Sequence, residues 1–323
     1  MALYDMRIIT GTANPRLAGD IAKRLGMELA DTEISRFSDG ELRVKINESV
    51  RGADVFVIQP TCPPVNEHLM ELLILADALR RASARRIVAV MPYYGYARQE
   101  KKAAGREPIT AKLVANLIAT AGVDRVLAVD LHVPSIQGFF DLPVDHLSAG
   151  PYLAEYLLES GYGADNTVVV SPDVGAVGSA RAFADRLRAS LAIIAKRRPE
   201  PNQAEVMEVI GDLRGKRAII VDEMIDTAGT IVLGAQAVME RGASEVYACA
   251  THAVFSGKAP DRLQGSCIKE VVVTDTIPLP KEKERPKIKV LSMAPILAEA
   301  IHRVHEDLSV STLFDKHWVE DKR

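Results

Sequence analysis

The sequence predicts an α/β protein built from two similar domains, each a mainly parallel sheet flanked by helices. Three observations carry this. Short β-branched runs alternate with amphipathic helical patterns along the chain, the signature of strands buried between two helical layers. The order of features in the first half returns in the second, as a duplicated domain would give. The 323 residues are about twice the length of a common single domain.

In the first half, Val55–Ile58 reads as a strand ending at Gln59-Pro60. A helix follows, with Leu69, Leu72, Leu73, Ala76 and Leu79 on one face. The next strand, Ile87–Met91, feeds a basic loop at Arg98. A second helix carries Leu113, Val114, Leu117 and Ile118 on one face, and Val126–Asp130 is a strand ending in an acid. The break falls near Ser148–Pro151, dividing residues 1–149 from 150–323 and leaving open a return of the last residues to the first domain. In the second half, Val168–Val170 ends at Ser171-Pro172, Leu191–Ala195 feeds a basic turn at Lys196, and Ala218–Val221 ends at Asp222. Glu245–Ala250 and Val271–Thr274 add further strands. Lys281–Lys289 reads as a charged surface stretch forming a hairpin connection.

The formal net charge of −3 gives no general attraction to nucleic acid or an anionic membrane, so phosphate binding has to come from local basic clusters. Cys62, Cys249 and Cys267 are scattered without metal-ligand spacing and suit reduced thiols in a cytoplasmic protein. No segment approaches the ~20 apolar residues of a membrane span, and Met1–Thr10 carries no apolar run of the kind a signal peptide has.

The most informative segment is Ala218–Thr230. Four apolar residues form a strand, and Asp222 and Glu223 stand at its carboxyl end, where open α/β sheets bind ligands. Thr227-Ala228-Gly229-Thr230 then opens a helix with Ile231, Ala235, Val238 and Met239 on its apolar face. Small residues let backbone N–H groups approach a phosphate, and the helix dipole favours the anion. The acids suit ribose hydroxyls with Mg²⁺ nearby. A Thr/Gly turn alone would be an ordinary helix start; the acid pair makes it a site. Elsewhere, Tyr96–Lys102 followed by Ala103–Pro108 is a basic, small-residue loop that fits a lid over polyphosphate. Taken alone it is a solvated loop, Phe37–Glu41 is a turn between strands, and His132 is a hydrogen-bonded structural histidine.

Together these stretches resemble the ribose-phosphate diphosphokinase family, and the acidic loop resembles the phosphoribosyl-diphosphate loop shared with type I phosphoribosyltransferases. The resemblance runs from about Thr10 to Phe314 in five motifs. It implies phosphoribosyltransferase-like domains, a nucleotide side in 1–149 and a ribose 5-phosphate side in 150–323. By it, Phe37 stacks on adenine, Asp39 and Glu41 accept hydrogen bonds, and Arg98 and Gln99 contact ATP. His132 and Asp173 are implied as Mg²⁺ ligands, and Ser171–Gly175 as the diphosphate cradle. Asp222 holds the ribose, while Asp226, Thr227, Ala228, Gly229 and Thr230 cradle the 5-phosphate. The catalytic lysine and arginine fall on Lys196 and Arg198, the arginine serving ribose 5-phosphate as well. Arg51, Ser309 and Ser311 match a regulatory anion site, and a homo-oligomer, a hexamer, is implied. The chain departs from the family at Glu223, where a second aspartate is usual, and at Val133-Pro134-Ser135. The implied reaction moves a diphosphate from MgATP to ribose 5-phosphate; a base phosphoribosyltransferase and a catalytically silent regulatory subunit are the alternatives.

Overall fold

The computed structural model describes residues 4–197 and 206–314. The chain divides into two units, Met1–Ser148 with Thr276–Pro278 and Ser292–Arg323, and Ala149–Asp275 with Leu279–Leu291.

The first unit contains β1 (Met6–Thr10), α1 (Pro15–Arg24), β2 (Thr32–Arg36), β3 (Leu42–Ile46), β4 (Asp54–Ile58), α2 (Val65–Arg81), β5 (Arg86–Met91), α3 (Thr110–Ala121), β6 (Arg125–Val129) and β7 (Val144–Leu147). Its five-stranded sheet has the order β1-β4-β5-β6-β7, all parallel. β2 and β3 form a separate antiparallel hairpin. One core layer joins Ile9, Val55, Val57, Ala89, Met91, Val126 and Ala128 of the sheet to Leu72, Leu75 and Leu79 of α2 and Val114 and Ile118 of α3. The intervening residues Ile8, Phe56, Val88 and Val90 are also fully buried, so both faces of the sheet are covered and the strands are apolar at nearly every position.

The second unit contains α4 (Gly150–Glu159), β8 (Thr167–Ser171), α5 (Val177–Leu187), β9 (Ser190–Arg197), β10 (Val206–Ile210), β11 (Arg217–Ile225), α6 (Gly229–Glu240), β12 (Glu245–Ala253), α7 (Ala259–Gln264), β13 (Ile268–Thr274) and β14 (Ile288–Leu291). Its sheet runs β10-β9-β8-β11-β12-β13-β14, parallel throughout except β9 with β10. Sheet residues Val168, Val170, Ala218, Ile220, Ala248 and Val271 share a core with Ile231, Ala235 and Val238 of α6. After β14 the chain re-enters the first unit as α8 (Ala294–His305), which packs on α1.

The fold class is as expected, two mainly parallel sheets flanked by helices. Three local readings change. Lys281–Lys289 is not a hairpin, because β14 pairs parallel to β13 and parallel neighbours need a crossover. On α3 the core stripe is Ala111, Val114, Ala115 and Ile118, whereas Leu113 and Leu117 are 53% and 40% exposed. The basic turn after Ala195 is still strand, since β9 continues to Arg197 opposite Val206. The halves do repeat their wiring, but not in the correspondence the sequence suggested. Leu29 bridges parallel to β1, so the order Leu29-β1-β4-β5-β6-β7 in the first sheet matches β9-β8-β11-β12-β13-β14 in the second, and β4 answers to β11, not to β8.

Candidate active site

In the second unit, chain order reverses between β8 and β11, which makes their carboxyl ends the natural ligand crevice of the sheet. Two turns leave the sheet there. After β8, the Ser171 hydroxyl donates to the Asp173 carbonyl (2.7 Å) and Asp173 accepts the Ala176 N–H (2.9 Å). α5 follows, and its N-cap residue Ala176 has no polar side chain of its own to cap it. After β11, Ala228 takes a left-handed conformation (φ 62°) and opens α6, again without a side-chain cap. The N-cap residue, an alanine, offers no polar side chain to the first N–H groups of α6, the kind of helix start that can bind an anion. The loop is gripped from outside: Phe255 N–H donates to Ile225 O (3.0 Å), Ser256 N–H to Asp226 O (3.0 Å), and the Arg262 guanidinium to Thr227 O (2.9 Å).

Asp222 and Glu223 lie within β11, with Asp222 accepting the Glu223 N–H at 2.8 Å. Burial pushes the Asp222 carboxyl up to about 8, helped by a hydrogen bond from the Glu223 side chain, by that side chain's charge and, less, by Asp173. The neighbouring carboxylate at the departing position thus works with burial to favour the protonated form of Asp222. Asp173 and Asp222, predicted for different ligands, feel each other's charge. Lys196 occupies β9 opposite Met207, and Arg198 lies outside the described residues.

In the first unit the segments expected to contact a nucleotide are anchored on one helix. Phe37 is exposed at the tip of the β2–β3 hairpin, where its N–H donates to Glu41 O (2.9 Å) and Asp39 caps the Glu41 N–H (3.1 Å). Arg36 pairs with Glu67 at 2.5 Å, and the Tyr96 hydroxyl donates to Asn66. Two consecutive residues in the first turn of α2 thus anchor both the hairpin and the turn carrying Arg98 and Gln99. Nothing in the sequence marked Asn66 or Glu67 for this task. Gln99 accepts from the Thr110 hydroxyl (2.6 Å), tying the lid base to α3. The lid itself is exposed, with Glu107 accepting from Ala103 N–H (2.8 Å) and Ala104 N–H (2.9 Å). Glu100 ends up below the usual carboxylate range: burial opposes this, but the hydrogen bond from Lys101 and the charges of Lys101 and His132 outweigh it. The field of His132 therefore reaches the lid base.

Asp130, at the end of β6, has φ 36°. Its N–H donates to Leu147 O (2.9 Å), and the next N–H, of Leu131, donates to His146 Nε2 (2.9 Å). His132 belongs to the first unit and Asp173 to the second. Among the described residues no group of three or more His, Cys, Asp or Glu side chains is placed to hold a metal on its own. Mg²⁺ is commonly held by one or two carboxylates with waters and substrate phosphates; a carboxylate such as that of Asp173 is of this kind, and an imidazole such as that of His132 could add one nitrogen ligand to such a set. Ser309 and Ser311 hydroxyls lie 2.7 Å apart. Ser309 also lines an open depression of about 370 Å³ with Arg125, Asp145, Val304, Asp307 and Leu308. Arg51 is exposed and does not line it.

Comparison with known proteins agrees with this geometry. Residues 6–122 match the N-terminal domain of ribose phosphate pyrophosphokinase, and residues 197–315 match the phosphoribosyl synthetase-associated domain. The ribose-phosphate pyrophosphokinase of Caldanaerobacter subterraneus subsp. tengcongensis is 62% identical over 316 residues, covering 97% of this chain and all of the relative. That of Bacillus subtilis is 57% identical over 310 residues, covering 96% and 97%. The crystal structure of phosphoribosylpyrophosphate synthetase from Mycobacterium smegmatis superposes with a TM-score of 0.89 at 46% identity, covering 94% of this chain and 99% of that one. With near-complete coverage in both directions and a site at the expected strand ends, the chain belongs to the ribose-phosphate pyrophosphokinase family.

Proposed function

We propose that the protein transfers the β,γ-diphosphate of ATP to ribose 5-phosphate, giving 5-phosphoribosyl 1-diphosphate and AMP. The observation that carries this is the pairing of two devices in one chain. An acid-flanked phosphate loop opens α6 at the reversal point of the second sheet, and a hairpin and basic lid are anchored on one helix turn in the first unit. A base phosphoribosyltransferase needs only the first device.

In this reading the Asp226–Thr230 loop binds the 5-phosphate through the N–H groups at the start of α6. Asp222 orients the ribose hydroxyls, with Glu223 at its side. The anomeric hydroxyl oxygen attacks the β-phosphorus, the bond from that phosphorus to the α,β-bridging oxygen breaks, and AMP departs. Lys196 and Arg198 neutralise charge spreading over the transferring group, the guanidinium by its planar fork. Phe37, Asp39, Glu41, Arg98 and Gln99 hold the nucleotide, and the lid excludes water. His132 and Asp173 would hold Mg²⁺, which when bound offsets phosphate charge. The working form is a homo-oligomer, and Ser309, Ser311 and Arg51 serve a regulatory anion.

Product analysis with Mg²⁺, ATP and ribose 5-phosphate tests the reading. AMP and 5-phosphoribosyl 1-diphosphate in equal amounts are expected. ADP as the nucleotide product would mean γ-phosphoryl transfer and overturn it.

A further inference from the structure

The loop that presents His132 is held in an unusual conformation by a residue outside it. β6 ends at Val129, and Asp130 enters the left-handed region at φ 36°, which costs a non-glycine residue energy and persists only where surroundings enforce it. The turn is fixed at two successive amides. Asp130 N–H meets Leu147 O (2.9 Å) in the backbone of β7, and Leu131 N–H meets His146 Nε2 (2.9 Å) on the same strand. A backbone N–H can only donate, so Nε2 is the bare nitrogen that accepts it and the neutral ring carries its proton on Nδ1. Burial favours this uncharged ring, against the pull of the nearby Asp130 charge.

We propose that His146 is the positioning residue of the Asp130–His132 loop, accepting the Leu131 N–H so that the neighbouring His132 faces its ligand. The inference rests on the reading of His132 as a Mg²⁺ ligand, and it adds a supporting residue in the manner by which outer groups orient metal ligands.

Three variants and one exchange measurement test it. His146→Leu removes the acceptor at similar bulk. His146→Gln restores it, because a glutamine Oε1 occupies the place of imidazole Nε2. His132→Ala reports on the metal reading itself. The concentration of free Mg²⁺ giving half-maximal activity is measured for each, beside the thermal midpoint. Expected are a rise of roughly 10-fold or more in His146→Leu, less than about 3-fold in His146→Gln, and slow exchange of the Leu131 amide in the unaltered protein. If His132→Ala shifts the Mg²⁺ requirement and a folded His146→Leu does not, the positioning role is wrong. It is equally wrong if His146→Gln, at an unchanged thermal midpoint, loses Mg²⁺ affinity as the leucine variant does. If His132→Ala leaves the requirement unchanged, the metal reading falls and takes this inference with it. Should His146→Leu not fold, the Leu131 amide and the glutamine variant decide: solvent-like exchange of that amide overturns the proposal.

Discussion

Replacing Asp222 by asparagine should change how stability depends on pH, and the structure sets both sign and size. The carboxyl goes from 3.8 to about 8 on folding, first because β11 buries it and then because Glu223 hydrogen-bonds to it and repels its charge. A group raised in the folded state binds more protons there than in the unfolded chain. Its stabilisation is complete below about pH 4 and disappears as the pH rises through about 8. At roughly 1.4 kcal/mol for each pKa unit, the upper bound is on the order of 6 kcal/mol. Partial solvent access and coupling to Glu223 reduce this, so about 2–4 kcal/mol should be lost between pH 5 and 8.5. Asp222→Asn keeps the oxygen that accepts the Glu223 N–H (2.8 Å) and removes the charge. Urea midpoints of the ligand-free proteins, followed by far-ultraviolet circular dichroism from pH 5 to 9, should fall for the parent and stay flatter for the variant. At pH 8.5 the variant should be the more stable of the two. Parallel profiles would mean that the pair is already solvated and ionised, and the argument from burial would be wrong.

Lys196→Ala should lower kcat by roughly 10²–10⁴, the usual cost of losing one preorganised charge at a transition state, in a protein of unchanged thermal midpoint; near-normal turnover would return Lys196 to an ordinary strand residue. Gly11→Ala should destabilise the protein by about 2–4 kcal/mol in denaturant titration, because a Cβ there would lie 2.2 Å from Gln59 Oε1 and 2.6 Å from Glu71 Oε1, acceptors held by the Ala13 and Thr12 N–H groups, with the Gln59 Nε2 amide also donating to Glu71 Oε1. An unaffected midpoint would show that this buried network gives way easily. Amide exchange across Glu100–Glu107 should slow when ATP and Mg²⁺ are added, and exchange indifferent to nucleotide would count against a lid.

How much of this was legible in the sequence depends on whether a feature was local. The interior strands β4, β5, β6, β8, β11, β12 and β13 announce themselves because burial on both faces makes them continuous apolar runs. β1, β7, β10 and β14 are short, and all four end the strand orders of their sheets, with a weaker pattern. α3 shows a different limit. Its sequence is apolar on more than one side, so helical periodicity allows both a 113/117 stripe and a 111/114/115/118 stripe, and only packing chooses. Strand direction at β14 was illegible for the same reason: a charged, proline-containing connection looks alike whether the next strand pairs parallel or antiparallel. The site loops were legible because acids, glycine and threonine at a strand end are rarely arranged that way by packing alone. Their supports were not. Asn66, Glu67, His146 and Arg262 act through tertiary hydrogen bonds, and each reads in the sequence as an ordinary polar residue.

That asymmetry bears on what keeps a chain of this family active. The loops that follow β6 and β11 depend on residues with positive φ, Asp130 at 36° and Ala228 at 62°. Neither is glycine, so each conformation costs on the order of 1 kcal/mol and has to be imposed. At Asp130 the imposing groups are the Leu147 carbonyl and the His146 ring; around Ala228 they are the Phe255 and Ser256 amides and the Arg262 guanidinium. Two hydrogen bonds at a net 0.5–1.5 kcal/mol each, by the usual estimate for such bonds, are about enough to offset one strained residue, with little left over. A chain could therefore keep every loop residue and lose function by losing a clamp, relaxing the loop to its default conformation. A search for a silent relative that inspects only lysines, acids and phosphate-loop residues would miss this failure. In this chain both sets are present, the loop residues and the groups that hold them, which is a stronger argument for an active enzyme than the motifs alone supply.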